Sequence, residues 1–216
     1  MSQSDYSIFK RLFPGCRIIS RSRADYELEK VLASYPHCLN FRRNNTYALK
    51  LFDFFYFSST NNYIMLDSDV LFFDPSKART KLADIVRNGT QNVFTRDYQH
   101  AYFLSQDALE QLAGKPIREN INVGFALVRR SSIELSVIEG ILERLPLLLQ
   151  NTPWPEQTIY ALLSASCGIE LLGPEYEVAQ GFGLEGRVMK HYVAPVRELF
   201  YIEGIPAVAS LLDRNG

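Results

Sequence analysis

Cysteine is scarce in this chain. Cys16, Cys38 and Cys167 are an odd number and show no Cys-x-x-Cys spacing. That pattern argues against a disulfide framework or a cysteine zinc site and fits a reducing cytosol. Histidine is equally rare, and no two of His37, His100 and His191 have the spacing of zinc ligands on one helix. Net charge is almost absent: 23 basic side chains face 24 acidic ones, for a formal charge of -1. This speaks against a nucleic-acid partner and against a surface strongly drawn to membranes. Long apolar runs are missing too, and nothing approaches the ~20 residues of a membrane span. The greasiest helical piece, Leu142–Leu149, is interrupted by Glu143, Arg144 and Pro146. Met1–Phe13 is polar and charged, unlike a signal peptide. There is no repeat, low-complexity tract or evident linker, so 1–216 reads as one domain, cytoplasmic and without a transmembrane segment.

What is present is apolar and aromatic. Hydrophobic residues make up 47%, with 14 Phe and 12 Tyr, enough for a substantial core and for rings lining a sugar cleft. Helical spacing marks Ser4–Phe13, then Ala24–Tyr35 with Leu28, Val31, Leu32 and Tyr35 on one stripe, and Pro36 ends that helix. Thr46–Ser58 and Lys77–Val86 are further helices. Ser131 or Ser132 caps a helix striped by Ile138, Ile141, Leu142 and Leu145, and Pro153–Gln157 opens another. Cys16–Ser20, Asn92–Thr95, Asn122–Val128, Ile169–Leu172 and His191–Val193 read as strands. The alternation predicts an α/β fold with a mostly parallel (mixed) central sheet flanked by helices.

The most specific stretch is Tyr63–Phe73, Tyr-Ile-Met-Leu-Asp-Ser-Asp-Val-Leu-Phe-Phe. Its apolar lead-in fits a buried strand of a parallel sheet, and the carboxyl ends of such strands are where ligands bind. Asp67 and Asp69 there would form a hard-oxygen site for Mg²⁺ or Mn²⁺ holding a diphosphate. Three further pieces follow in order: Asn122-Val-Gly-Phe at a strand, Glu156-Gln157 at a helix start, and Lys190-His191-Tyr192 near the C-terminus.

This order resembles the nucleotide-sugar glycosyltransferases of the GT-A fold, particularly the glycogenin-like and lipopolysaccharide galactosyltransferase-like branch. The resemblance covers roughly Cys16 to Tyr201. It implies that Asp67, Asp69 and His191 bind Mn²⁺ or Mg²⁺, with Ser68 inside the motif. It implies that Asn122 and Gly124 meet the donor sugar and that Glu156 and Gln157 face the reacting sugar. Lys50 matches a lysine on the helix before the metal strand, while Lys190 and Arg197 would offset diphosphate charge. The implied partners are a nucleotide-sugar donor, a UDP-sugar first, and a carbohydrate or glycolipid acceptor. Retention is the implied outcome; an inverting enzyme would need a base such as Glu156 or Asp97.

The sequence also departs from that pattern. His191 is followed by Tyr-Val-Ala-Pro-Val-Arg, where the family has a glycine and then Lys-Pro-Trp. No apolar strand precedes Cys16, so the first nucleotide-binding unit reads as shortened. Two alternatives stay open on sequence. One is a non-catalytic sugar- or protein-binding module of the same fold. The other is a haloacid-dehalogenase-like phosphatase, although Leu71 stands where that motif has Thr or Val.

Overall fold

The alternation of strands and helices produces a mixed seven-stranded sheet with helices on both faces. The computed structural model describes residues 3–145 and 154–215, so Met1, Pro146–Leu149 and Pro153 of the sequence reading lie outside the described residues. In chain order the elements are α1 (Gln3–Leu12), α2 (Arg21–Val31), α3 (Pro36–Asn44), α4 (Ala48–Phe57), β1 (Asn62–Leu66), β2 (Val70–Phe72), α5 (Pro75–Asn88), β3 (Asn92–Arg96) and α6 (Gln106–Ala113). There follow β4 (Ile121–Arg129), α7 (Leu135–Arg144), α8 (Pro155–Ser164), β5 (Ile169–Leu171), β6 (Tyr176–Val178), β7 (Met189–His191), α9 (Arg197–Leu199) and α10 (Ile205–Asn215).

Local chemistry sets the helix starts. Ser20, Asp74 and Ser105 each accept a hydrogen bond from a backbone amide of the first turn of α2, α5 and α6, and Pro75 sits where its missing N–H costs nothing. Ser131 and Ser132 do not cap α7, contrary to expectation. Its N-cap is Glu134, and the Ser132 hydroxyl instead donates to the Arg129 carbonyl. The helix expected to run to Tyr35 stops at Val31, short of Pro36, and Pro36 begins another, α3, which the sequence reading passed over. Cys16–Ser20 is not a strand; with too few alternating apolar residues it runs as an irregular connection.

Strand order is β1-β4-β3-β6-β7-β2, with β5 also paired to β3. The sheet is less parallel than its sequence suggests. Pairs β1–β4, β3–β4 and β2–β7 are antiparallel, whereas β3–β5, β3–β6 and β6–β7 are parallel. Strand β1 is correspondingly not a buried central strand. It is an edge strand whose Ile64 and Leu66 are exposed while Tyr63 and Met65 face the core, a period-two pattern. The central position belongs to β4, buried along all but its last residue.

The large core lies between β1, β3, β4 and helices α2, α3, α4, α7 and α8, and includes Leu28, Phe41, Phe52, Phe94, Ile138 and Tyr160. Each such side chain contributes roughly 1.5–3 kcal/mol on burial. A smaller cluster on the opposite face packs Ala78 and Ile85 of α5 against Val93, Phe125 and Met189. Among the described residues no helix is long and apolar enough to cross a membrane.

The positions of β1 and β2 have a topological consequence. They stand at opposite edges of the sheet but are separated in sequence only by Asp67-Ser68-Asp69. The sheet must curl to bring its edges together. The seam is tied on one side by the Asp67 amide donating to the Gly124 carbonyl of β4 (2.8 Å). On the other side the Tyr192 amide donates to the Asp69 carbonyl (2.9 Å).

Candidate metal and sugar site

The seam is where the predicted residues converge. Asp67, Asp69 and His191 each present one ligand atom, all within 4.8 Å of one another. His191 Nε2 lies 3.2 Å from Asp69 Oδ1 and 3.7 Å from Asp67 Oδ2. The Lys50 ammonium on α4 donates to Asp67 Oδ2 at 2.6 Å, and Arg197 at the start of α9 donates to Asp69 Oδ2 at 2.9 Å. Burial opposes charge on Asp69, but the hydrogen bonds and charges of His191 and Arg197 outweigh it and hold the carboxyl at about 2.

A chain of hydrogen bonds fixes the imidazole. Asn122 Oδ1 accepts the Gly124 amide (2.9 Å) and also faces His191 Nδ1 (2.9 Å), while Asn122 Nδ2 donates to Asp97 Oδ2 (2.8 Å). An oxygen that already accepts one N–H requires Nδ1 to be the protonated nitrogen. Nε2 is therefore the nitrogen turned to the two aspartates; carrying a proton it donates to Asp69, and without one it would offer a lone pair to a cation. Gly124 makes this approach possible, because a Cβ there would lie 2.0 Å from the His191 ring. Its missing side chain thus accommodates the histidine, and Gly124 and Asn122 both line the cleft. The amide of Asn122 is likewise committed to Asp97, Gly124 and His191.

Two carboxylates and one neutral imidazole are a donor set for Mn²⁺ or Mg²⁺. The three atoms lie close enough together that they would be able to share one such cation.

The surrounding cleft has a volume of about 310 Å³. Glu156 and Gln157 enter it from the first turn of α8. Gln157 spends its amide on backbone, accepting from the Val123 N–H and donating to the Ala101 carbonyl, so it braces β4. Glu156 differs. It is buried, its Oε2 has no protein partner, and burial pushes it up to about 7 in spite of the nearby Lys50 charge. Tyr63, Gln106 and Tyr176 also keep a buried polar atom without a partner, but none of them carries an ionisable carboxyl; the Asn92 amide, by contrast, donates to Ser132 and Ser164 and accepts from Arg129.

Two predicted residues are absent from the cleft. Ser68 does not line it. Lys190 precedes His191 on β7 and so points to the other side of the strand. There it is fully buried, donating to the Gly181 and Gly183 carbonyls and to Glu203. Sequence reasoning overlooked Tyr47, Tyr98 and Trp154 in the lining. Tyr47 precedes Lys50 by one helical turn. Trp154 is the sole tryptophan, 40% exposed, two residues before Glu156. An exposed lone Trp beside an acid–amide pair was the available signal.

No protein-family model matches the chain, and no curated protein matches it. Solved structures do. The apo form of mouse xyloside xylosyltransferase 1 superposes with a TM-score of 0.56 at 12% identity, covering 90% of this chain and 83% of that one. A glycosyltransferase involved in the glycosylation of the major capsid of PBCV-1 gives 0.46 at 16% identity, covering 76% and 77%. At the first of these likenesses what is shared is the fold, and the chain has a GT-A-like glycosyltransferase fold.

Proposed function

We propose that the protein is a metal-dependent glycosyltransferase. It moves a sugar from a nucleotide-diphosphate sugar, a UDP-sugar first, to an acceptor hydroxyl of a carbohydrate or glycolipid, with retention at the anomeric carbon. The observation that carries this reading is the Asp67–Asp69–His191 group, with His191 Nε2 directed at both carboxylates. A divalent cation held there supplies charge neutralisation for the departing diphosphate. Lys50 and Arg197 flank the group and add positive charge for the same anion. In the reaction the bond from the anomeric carbon to the diphosphate oxygen breaks. A bond to the acceptor oxygen forms, and the acceptor proton leaves with the diphosphate. Ionised Glu156, buried and short of partners, faces positive charge building on the transferring sugar.

The direct test is incubation with UDP-sugars and Mn²⁺, following release of UDP. Release that requires the metal and is absent in Asp69→Asn supports the proposal; metal-independent release in both proteins defeats it.

A second reading rests on one observation: among the described residues no strand precedes Asn62. A binding module of this fold would take up sugar without turning over any donor, and the same assay separates the two.

A further inference from the structure

A second cavity of about 490 Å³ opens beside the cleft, and Asp97 and Tyr98 line both. It is ringed by Arg96 at the end of β3, Arg118 before β4, and Arg187 before β7. The two acids on its walls are already committed. Asp97 accepts from Asn122 and from the Gln99 amide, and Glu177 pairs with Arg187. Arg96 and Arg118 are exposed, and among the described residues no carboxylate pairs with either. A nearly neutral chain therefore places two uncompensated guanidinium groups around one hollow next to its reaction centre. Tyr98, 39% exposed, stands on the shared wall, where an aromatic side chain suits a pyranose.

We propose that this second cavity is the acceptor subsite and that the acceptor is an anionic sugar, one bearing a carboxylate or a phosphate. The proposal rests on the glycosyltransferase reading for its role, while the anion preference stands on the arginines. Guanidinium forks match both carboxylate and phosphate, and Asp97 on the shared wall turns the anion away from the seam and toward Arg96 and Arg118.

The test is titration of the folded protein with methyl glucuronide, glucose 6-phosphate and neutral methyl glucoside, followed by amide chemical shifts. At least one anionic sugar should bind about tenfold or more tightly than methyl glucoside, a step of about 1.4 kcal/mol. The better of the two names the anion. Added salt should shrink the advantage, and Arg96→Ala/Arg118→Ala should abolish it. Both residues are exposed, so the double variant folds; its thermal shift with UDP and Mn²⁺ should match the wild type. Equal binding of all three sugars, binding of none, or an advantage retained in the double variant would overturn the proposal. Anion preference without any UDP–Mn²⁺ shift would instead overturn the donor reading and leave the subsite standing.

Discussion

Asp69 and Glu156 line the same cleft, yet one carboxyl is held at about 2 while the other is pushed to about 7. Both are substantially buried, so desolvation acts on each in the same direction. The difference lies in what meets the charge. Asp69 faces His191 and Arg197 across short hydrogen bonds, while Glu156 has one oxygen with no partner, and the charge of Lys50 and the backbone amides of Glu156 and Gln157 do not outweigh its burial. One wall is built to keep a fixed negative charge for a cation. The other keeps an acid that changes charge near neutral pH. Carboxyls whose environments pull their titrations apart mark separate chemical duties.

The sharpest way to break the contrast is Asp69→Asn. It keeps the volume and removes the ligand charge, so turnover should fall on the order of a thousandfold, while the chain stays folded and loses about 2 kcal/mol of unfolding free energy at neutral pH with the partner of His191 and Arg197. Near-normal rates with Mn²⁺ would remove Asp69 from the metal site. Glu156→Gln should cost about a hundredfold in turnover. Wild-type activity should rise with pH through about 7 as Glu156 ionises, and the rise should vanish in the variant.

Stability should move the opposite way. The unfolded Glu156 releases its proton near 4.5 and the folded one near 7, so ionising it favours unfolding. Stability therefore declines as pH rises through that window, by about 3 kcal/mol at most, and levels off above it. Asp69 has the reverse sign. Its stabilising contribution is complete above the ordinary 3.8 and is lost as pH falls toward about 2. Thermal melts across pH 2–8 on wild type and Glu156→Gln separate the two.

Asn122→Ala frees the His191 ring and should weaken Mn²⁺ binding about 10–100-fold by calorimetry, and an unchanged affinity would mean that the hydrogen-bond chain does not orient the ring. The smallest effect on the cleft is expected from Lys190→Met. Metal affinity should stay within about twofold, while loss of the buried partner of Glu203 lowers folding stability by about 3–5 kcal/mol.

Neighbours on β7 show what sequence could and could not reveal. Lys190 and His191 both looked like site residues, but strand alternation sends them to opposite sides, and the register of a three-residue strand is not legible without its partners. The Asp67/Asp69 pair was legible because apolar flanks isolate two charges. Its strand was misread as a buried parallel strand because β1 is as apolar as one, although it pairs antiparallel at an edge and one of its faces is exposed. The curl that closes the seam depends on the pairing order of distant strands, as does the close packing of the His191 ring over Gly124, which leaves no room for a Cβ. Helices announced themselves better, as with the Ile138, Ile141, Leu142 and Leu145 stripe, all buried. Short elements such as β6, and α3 opening on a proline that also reads as a helix end, carried too little pattern to be seen.

The central claim is that Asp67, Asp69 and His191 hold a divalent cation that in turn holds a nucleoside diphosphate. The most direct measurement is thermal unfolding of wild type and Asp69→Asn with UDP alone, Mn²⁺ alone and both together. At ~100 times the dissociation constant the pair should stabilise the wild type by about 2.7 kcal/mol. Neither component alone should match that gain, and the variant should lose it. An equal shift in the variant, or no shift in a cooperatively folding wild type, would contradict the account.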